Sequence, residues 1–459
     1  MKSESNGYFV FFGPANVGKS TIIGYLLSYE MDERKYQSEV NKIKKKIGDK
    51  FQNDHLFSYF VDEAIDEYSK STDQRTYGTS KYVHLKKYGD FVLIDTPGGV
   101  GTKAQRYRGI SLANIGVFAI EIQQMLDFTK GKDSSTRFKK INDFFSSWFV
   151  WKKMHGTNNS IILLTKYDLN QNIEDFDTAK EILASIIGDD ANKVPIIPTS
   201  VDWNNRSDVN ITDNSCISWY KGDSLVSLLR KKSSAIVKQT VFSEPLLMFY
   251  NKKYQNVQGV GTVIKWKVNS GVLHNKDKVR ISPVYIGDKW ITLTTSIKSL
   301  YDDEFKKPTE RAYSGNIVDV TFSNNNEYNG NSINEIIEIP KTAIVTNLNE
   351  KEVIIGNIIV ISILFEELSH DEKDYMDDVP EEREVSFIWF GNLLTAIVIS
   401  NMKTDAEYKL KLRILNNYIA LPISFMPKNL ILQFLATKKK ELIMTYKCQL
   451  YDIQNDSIQ

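Results

Sequence analysis

Tyr8-Phe9-Val10-Phe11-Phe12 runs straight into Gly13-Pro14-Ala15-Asn16-Val17-Gly18-Lys19-Ser20, and Thr21-Ile22-Ile23-Gly24-Tyr25-Leu26-Leu27 follows at once. The apolar run reads as a buried strand and the last stretch as the first turns of a helix. The octet between them, Gly-x-x-x-x-Gly-Lys-Ser, needs that strand–loop–helix setting to cradle a phosphate. Its glycines let backbone N–H groups wrap an anion, and the helix start adds the positive end of its dipole. The candidate phosphate-binding residues are therefore Gly13, Asn16, Val17, Gly18, Lys19, Ser20 and Thr21. Lys19 should reach the β- and γ-phosphates of a nucleotide, and Ser20 should hold Mg²⁺.

Three later segments narrow the nucleotide to a guanine one. Val92-Leu93-Ile94-Asp95-Thr96-Pro97-Gly98 reads as a buried strand ending in Asp-x-x-Gly. Asp95 is placed to bind Mg²⁺ through water, and the Gly98 N–H to sense a γ-phosphate. Ser160-Ile161-Ile162-Leu163-Leu164 is a second such strand, ending in Thr165-Lys166-Tyr167-Asp168. A carboxylate there accepts from both N1–H and N2–H₂ of guanine, a donor pair that adenine lacks. The Lys166 stem would cover the base face. Thr165 stands where this motif usually carries Asn. Ile196-Ile197-Pro198-Thr199-Ser200 reads as a third strand, with Ser200 where a backbone N–H would meet the guanine oxygen. Each short motif alone is weak; their order and spacing together are specific.

Composition sets the bounds. A chain of 459 residues suggests about two to four domains. Hydrophobic content of 42% and charged content of 25% are ordinary for a globular protein. With Lys+Arg 58 against Asp+Glu 57, the net charge of +1 gives no global case for nucleic acid, and DNA is not expected as a partner. The densest basic run, Lys42-Ile43-Lys44-Lys45-Lys46, reads as a solvated helix face. Cys216 and Cys448 are too few for a disulfide framework or metal cluster, which suits a reducing cytoplasm. Met1-Lys2-Ser3-Glu4-Ser5-Asn6 lacks a signal-peptide pattern. No apolar run reaches the ~18–20 residues that span a bilayer, so no membrane partner is expected. His55, His84, His155, His274 and His370 form no metal-spaced pair.

Up to Val241 the chain alternates apolar strands with amphipathic helices, the α/β signature. Phe138 to Trp151 reads as a helix whose aromatic stripe belongs to the core. After Glu244-Pro245 short strands follow one another between Gly, Asn and Asp turns, which is β-barrel sequence. Ser323 to Gly330 reads as a low-complexity loop, Ile354 to Phe365 as a buried strand, and the acidic Glu366 to Glu384 as an exposed linker or barrel lead-in. Strands then resume from Val385 to Leu435, making a second barrel. The expected architecture is an α/β P-loop G domain (1–241), mostly parallel sheet with helices on both faces, followed by two antiparallel β-barrels (242–360 and 361–459).

Beyond these motifs the chain resembles the translation-factor GTPases, specifically the elongation factor 1-alpha-like group. That group includes release and ribosome-rescue GTPases and the GTPase subunit of sulfate adenylyltransferase. Met31 to Glu67 is similar to that group's helical insertion, and Trp219-Tyr220-Lys221-Gly222-Asp223-Ser224-Leu225 to the start of its last G-domain helix. Gly259-Val260-Gly261-Thr262-Val263, Ser270-Gly271-Val272-Leu273 and Lys351-Glu352-Val353-Ile354-Ile355-Gly356-Asn357 continue the resemblance into the second domain. Asp73-Gln74-Arg75-Thr76-Tyr77-Gly78-Thr79-Ser80 sits at the family's switch, which implies Mg²⁺ ligation by Thr79 by identity or Ser80 by spacing. The resemblance implies GTP and GDP as ligands, Mg²⁺ as cofactor, and a hydrolysing switch whose barrels engage an aminoacyl-tRNA or the ribosome. Its alternatives are a regulatory subunit of a metabolic enzyme complex and a GTP-dependent interaction protein with very slow hydrolysis. Besides the ambiguous switch residue, two departures from the family bear on hydrolysis. Gly99 stands where members carry the His that positions water, so no catalytic side chain is assigned. Asn16 replaces the usual Asp, a pattern shared with GTPases of which some use a bound K⁺.

Overall fold

The computed structural model describes residues 7–63, 81–85, 91–128, 134–170, 172–235, 244–302, 307–328, 330–333, 337–349, 353–368, 370–422, 425, 427, 430–434 and 444–454. They fall into two units, Met1–Val237 and Lys238–Gln459.

The first unit is built on six strands: β1 (Tyr8–Phe12), β2 (Lys81–Leu85), β3 (Phe91–Asp95), β4 (Ile115–Glu121), β5 (Ser160–Thr165) and β6 (Ile196–Pro198). They make one sheet in the order β2-β3-β1-β4-β5-β6, antiparallel at the β2 edge and parallel elsewhere. Every residue of β1, β3 and β5 is buried. That is why these strands read as unbroken apolar runs rather than alternating ones: both faces of a parallel sheet are covered. The register aligns Phe11 with Asp95 and Val117, and Glu121 with Thr165. The carboxyl ends of the parallel strands therefore meet along one edge, where α/β sheets bind ligands.

Helix α1 (Lys19–Tyr29) leaves the end of β1. It packs on α3 (Leu56–Glu63) so closely that a Cβ on Gly24 would lie 1.6 Å from the Phe57 carbonyl oxygen. Between them α2 (Glu33–Ile47) is capped by Asp32, whose carboxylate accepts from the Lys35 N–H at 2.8 Å. It buries Tyr36, Val40 and Ile43 and turns Lys44, Lys45 and Lys46 to the solvent at its carboxyl end, where cations suit the dipole. The aromatic helix Ser134–His155 buries Phe145, Trp148 and Trp151 in the core, as its stripe predicts.

In the second unit, Leu247–Val257, Gly261–Ser270, Lys278–Ile286, Lys289–Asp302, Ile317–Phe322 and Ile344–Asn347 form a closed antiparallel barrel, shut by pairing of Lys278–Ile286 with Lys289–Asp302. Ile264, Trp266, Val268, Leu293 and Val320 fill it. Ile358–Leu364, Glu384–Trp389, Asn392–Lys403, Glu407–Ile414, Leu430–Phe434 and Met444–Gln454 close a second barrel of six strands. The two join through Phe249 stacked on Phe390 at 3.4 Å between ring centres, and through the Asn392 amide donating to the Tyr250 carbonyl. The expected fold class is thus the observed one.

Four local expectations change. Of its two readings, the acidic stretch is the barrel lead-in and not an exposed linker. It contains the helix His370–Asp377, and Leu368, Met376 and Val379 join the core of the second barrel. Acidic residues dominate its composition while a few spaced apolar ones dock it. Ser323–Gly330 contains the strand Asn326–Tyr328, paired in a hairpin with Asn331–Ile333. Ser200 opens a separate ribbon, Ser200–Asp202 with Ser207–Val209, rather than ending β6. The Ile354–Phe365 run divides at Asn357 into Val353–Gly356 and Ile358–Leu364, which pair with different neighbours. Among the described residues no helix is long and apolar enough to cross a membrane.

Candidate functional site

The loop from Gly13 to Ser20 turns the chain from β1 into α1. Gly13 has φ 139°, and a Cβ there would fall 2.1 Å from the Ala119 carbonyl oxygen, so β4 and the loop touch through backbone alone. Asn16 has φ 63° and is exposed; Asn is among the few residues that accept this left-handed conformation readily. Val17 is fully buried and pins the loop to the core. Gly18 is the N-cap of α1, and Thr21 is half-buried in its first turn.

Lys19 is only 6% exposed. Its ammonium donates to the carbonyls of Gly13 and Pro14, so the loop folds around its own cation. Burial pushes its pKa down to about 8; nearby Asp95 opposes this and nearby Arg106 adds to it. The Ser20 hydroxyl donates to Asp95 Oδ2 at 2.6 Å. Hydroxyl and carboxylate oxygens brought this close are the donor chemistry a hard divalent cation takes, and they fit Mg²⁺. Gly98 packs on the same loop, where an added Cβ would lie 2.4 Å from both Pro14 O and Ala15 N. Thr79 and Ser80 lie outside the described residues.

The base-end candidates lie at the end of β5. Thr165 is buried, and its hydroxyl donates to the Ile120 carbonyl on β4. Lys166 has φ 58° and pairs with Glu121 at 2.9 Å, which holds its stem across the strand ends. The Tyr167 N–H donates to the Thr199 carbonyl, bringing the turn after β5 against Ser200. Asp168 is exposed. Partial desolvation, with Asp202 nearby, raises its carboxyl, while Lys166 and a hydrogen bond from Ser200 draw it back. The indole N–H of Trp219 donates to the Tyr167 hydroxyl and braces this turn from behind.

Phosphate-end and base-end candidates thus stand at strand ends of one sheet, with β4 between β1 and β5. Two residues escaped the sequence reading. Glu121, partner of Lys166, is the carboxylate that ends the apolar run of β4, and its position there is the sign that could have found it. Arg106, on α4 (Lys103–Leu112), is 2% exposed; nothing in the sequence separates it from a surface arginine. Cys216 and Cys448 are free thiols, and no cluster of three or more metal-ligating side chains occurs among the described residues.

No protein-family model matches the chain. Among curated proteins it is 24% identical over 319 residues to elongation factor 1-alpha of Archaeoglobus fulgidus, covering 67% of this chain and 65% of that protein. It is 26% identical over 287 residues to the same factor of Staphylothermus marinus, covering 60% and 59%. The chain therefore spans about two thirds or less of the length of these relatives. In fold it matches the GTP-bound Ski7 GTPase-like domain of S. cerevisiae, with TM-score 0.70, 16% identity and coverage of 96% and 97%. It also matches the elongation factor SelB of Methanococcus maripaludis in complex with a GTP analogue, with TM-score 0.61, 13% identity and coverage of 99% and 81%. The candidate phosphate loop at the head of a mostly parallel sheet, the two closed barrels that follow it in the chain and these matches make the chain similar to translation-factor GTPases of the elongation factor 1-alpha-like group.

Proposed function

We propose that this chain binds GTP and GDP with Mg²⁺ and hydrolyses GTP slowly, as a molecular switch whose barrels engage a tRNA-like or ribosomal partner. The observation that supports the reading is the placement of Lys19, Ser20 and Asp95, and of Thr165, Lys166, Asp168 and Ser200, at or just beyond strand ends on the carboxyl edge of one sheet. The backbone N–H groups of Asn16, Val17 and Gly18 wrap the phosphates while Lys19 exchanges its loop carbonyls for phosphate oxygens. Ser20 and Asp95 would hold Mg²⁺, which neutralises charge developing on the phosphates. Gly98 offers its N–H to the γ-phosphate. Asp168 accepts from the guanine edge, the Lys166 stem covers the base, Thr165 keeps the turn on β4, and Ser200 closes the pocket. The family resemblance would give Thr79 or Ser80 a further share in holding Mg²⁺.

Gly99 brings no side chain to orient water, which supports slow turnover in the isolated chain and leaves the missing group to a partner. It also keeps in view a GTP-dependent interaction protein with very slow hydrolysis. The relatives' names, elongation factor 1-alpha and SelB, support a translational partner. A K⁺ held partly by Asn16 is the competing source of charge near the β- and γ-phosphates; the left-handed φ of Asn16 accounts for its identity without an ion. Single-turnover GTP hydrolysis in K⁺ and in Na⁺, with and without Asn16→Asp, tests the chemistry. Equal slow rates in both salts are expected. Faster hydrolysis in K⁺ that Asn16→Asp abolishes would install the ion, and fast hydrolysis in both salts would overturn the role given to Gly99.

A further inference from the structure

We propose that Arg106 is the positioning residue of the phosphate site: by clamping the Pro97 and Gly99 carbonyls it fixes the Gly98 amide that reads the γ-phosphate. The inference rests on the nucleotide reading above and deepens it.

The Arg106 Nε–H donates to the Pro97 carbonyl at 3.0 Å, and Nη2 to the Gly99 carbonyl at 2.7 Å. Thr102 serves the same two acceptors: its hydroxyl lies 2.7 Å from Gly99 O and 3.3 Å from Pro97 O, and its N–H donates to Gly99 O at 3.1 Å. The Pro97 carbonyl and the Gly98 N–H belong to one planar trans peptide group, in which they point in opposite directions. Whatever holds the carbonyl therefore aims the N–H. On its other side Gly98 lies against Pro14 and Ala15 with no room for a side chain. The segment is thus held between the phosphate loop and a guanidinium.

A cation is an expensive choice for this task. Burying a guanidinium against neutral carbonyls is costly unless an anion compensates, and neutral Thr102 already supplies donors. Lys19 is a second buried cation close enough to feel its charge, with Asp95 as the nearby carboxylate. The group becomes favourable when further negative charge arrives, as with a third phosphate. Lysine cannot replace it, because a single ammonium lacks the fork that spans two carbonyls.

The test uses the full chain as wild type, Arg106→Lys and Arg106→Met, with Kd measured for GDP and for a non-hydrolysable GTP analogue, and thermal unfolding alongside. Arg106→Lys should weaken the GTP analogue about tenfold relative to GDP, the loss expected for one charge-assisted contact, and leave GDP within about twofold. An unchanged GTP-to-GDP ratio in both variants would overturn the inference. So would equal loss of both nucleotides together with a lowered Tm, the signature of a packing role. If neither variant folds, the wild type decides by NMR: the Arg106 Nε–H and Gly98 amide resonances should both move between the GDP and GTP-analogue forms, and resonances that stay in place overturn it. A wild type that binds no guanine nucleotide would overturn the functional reading as a whole; a wild type that binds both while Arg106 proves neutral overturns this inference alone.

Discussion

Lys19 is a cation kept in a dry place, bonded to the carbonyls of its own loop, with its pKa held down at about 8 by burial. Polyphosphate arriving beside it would raise that value. Between the lowered and the raised value the nucleotide-bound protein carries more protons than the free one. GDP affinity should therefore fall as pH climbs through about 8. The free protein should do the opposite. Its unfolded chain, with lysines near 10.5, binds more protons than the native one, so stability should rise between about 8 and 10.5 from this group. Isothermal titration across that range checks the first statement. Affinity that stays flat, or rises with pH, would mean that Lys19 does not meet the phosphates. Lys19 lies in a motif that names it, whereas Arg106 does not. An arginine on a polar helix reads as surface, and the burial of Arg106 depends on backbone carbonyls that only the folded loop brings to it.

At the scale of elements, the legible parts are those whose side chains repeat one environment. β1, β3 and β5 are buried on both faces and so carry continuous apolar runs, Tyr8 to Phe12, Phe91 to Ile94 and Ile161 to Leu164; a run of this kind is hard to misread. The barrel strand Glu407–Ile414 alternates strictly between half-buried and buried positions, and its period shows in the sequence. The acidic helix His370–Asp377 fails both tests. Its docking rests on Leu368, Met376 and Val379, too widely spaced among carboxylates to set a period, while the Asp377 carboxylate is taken up by Lys403 and the Tyr408 hydroxyl. Met376→Ala should cost about 2–5 kcal/mol in chemical denaturation, as a buried large-to-small change does. A loss within about 0.5 kcal/mol, typical of an exposed position, would return the segment to the role of a linker. Residues 196–200 show a subtler limit. The apolar run marks the strand, but the ribbon that takes Ser200 is anchored by Asp208 on its second strand, which accepts from Ile211 N, Thr212 N and the Tyr25 hydroxyl, the last from another part of the chain.

For the whole molecule, composition is nearly silent about partners because 58 basic residues balance 57 acidic ones. If the barrels carry an aminoacyl-tRNA, binding in the GTP form should exceed binding in the GDP form and weaken as salt rises, since phosphate contacts release counterions. Salt-independent copurification with one metabolic enzyme and no RNA would favour a regulatory subunit instead. All of these readings share the guanine site, so the central claim is tested there. The measurement is competition binding of GTP and ATP to the full chain with Mg²⁺, repeated with xanthosine triphosphate on Asp168→Asn. The account predicts that GTP displaces ATP and that Asp168→Asn weakens GTP by roughly ten- to hundredfold, the about 1.5–3 kcal/mol of a charge-assisted contact, while gaining for xanthosine triphosphate. Equal affinity of the unaltered chain for ATP and GTP would contradict it.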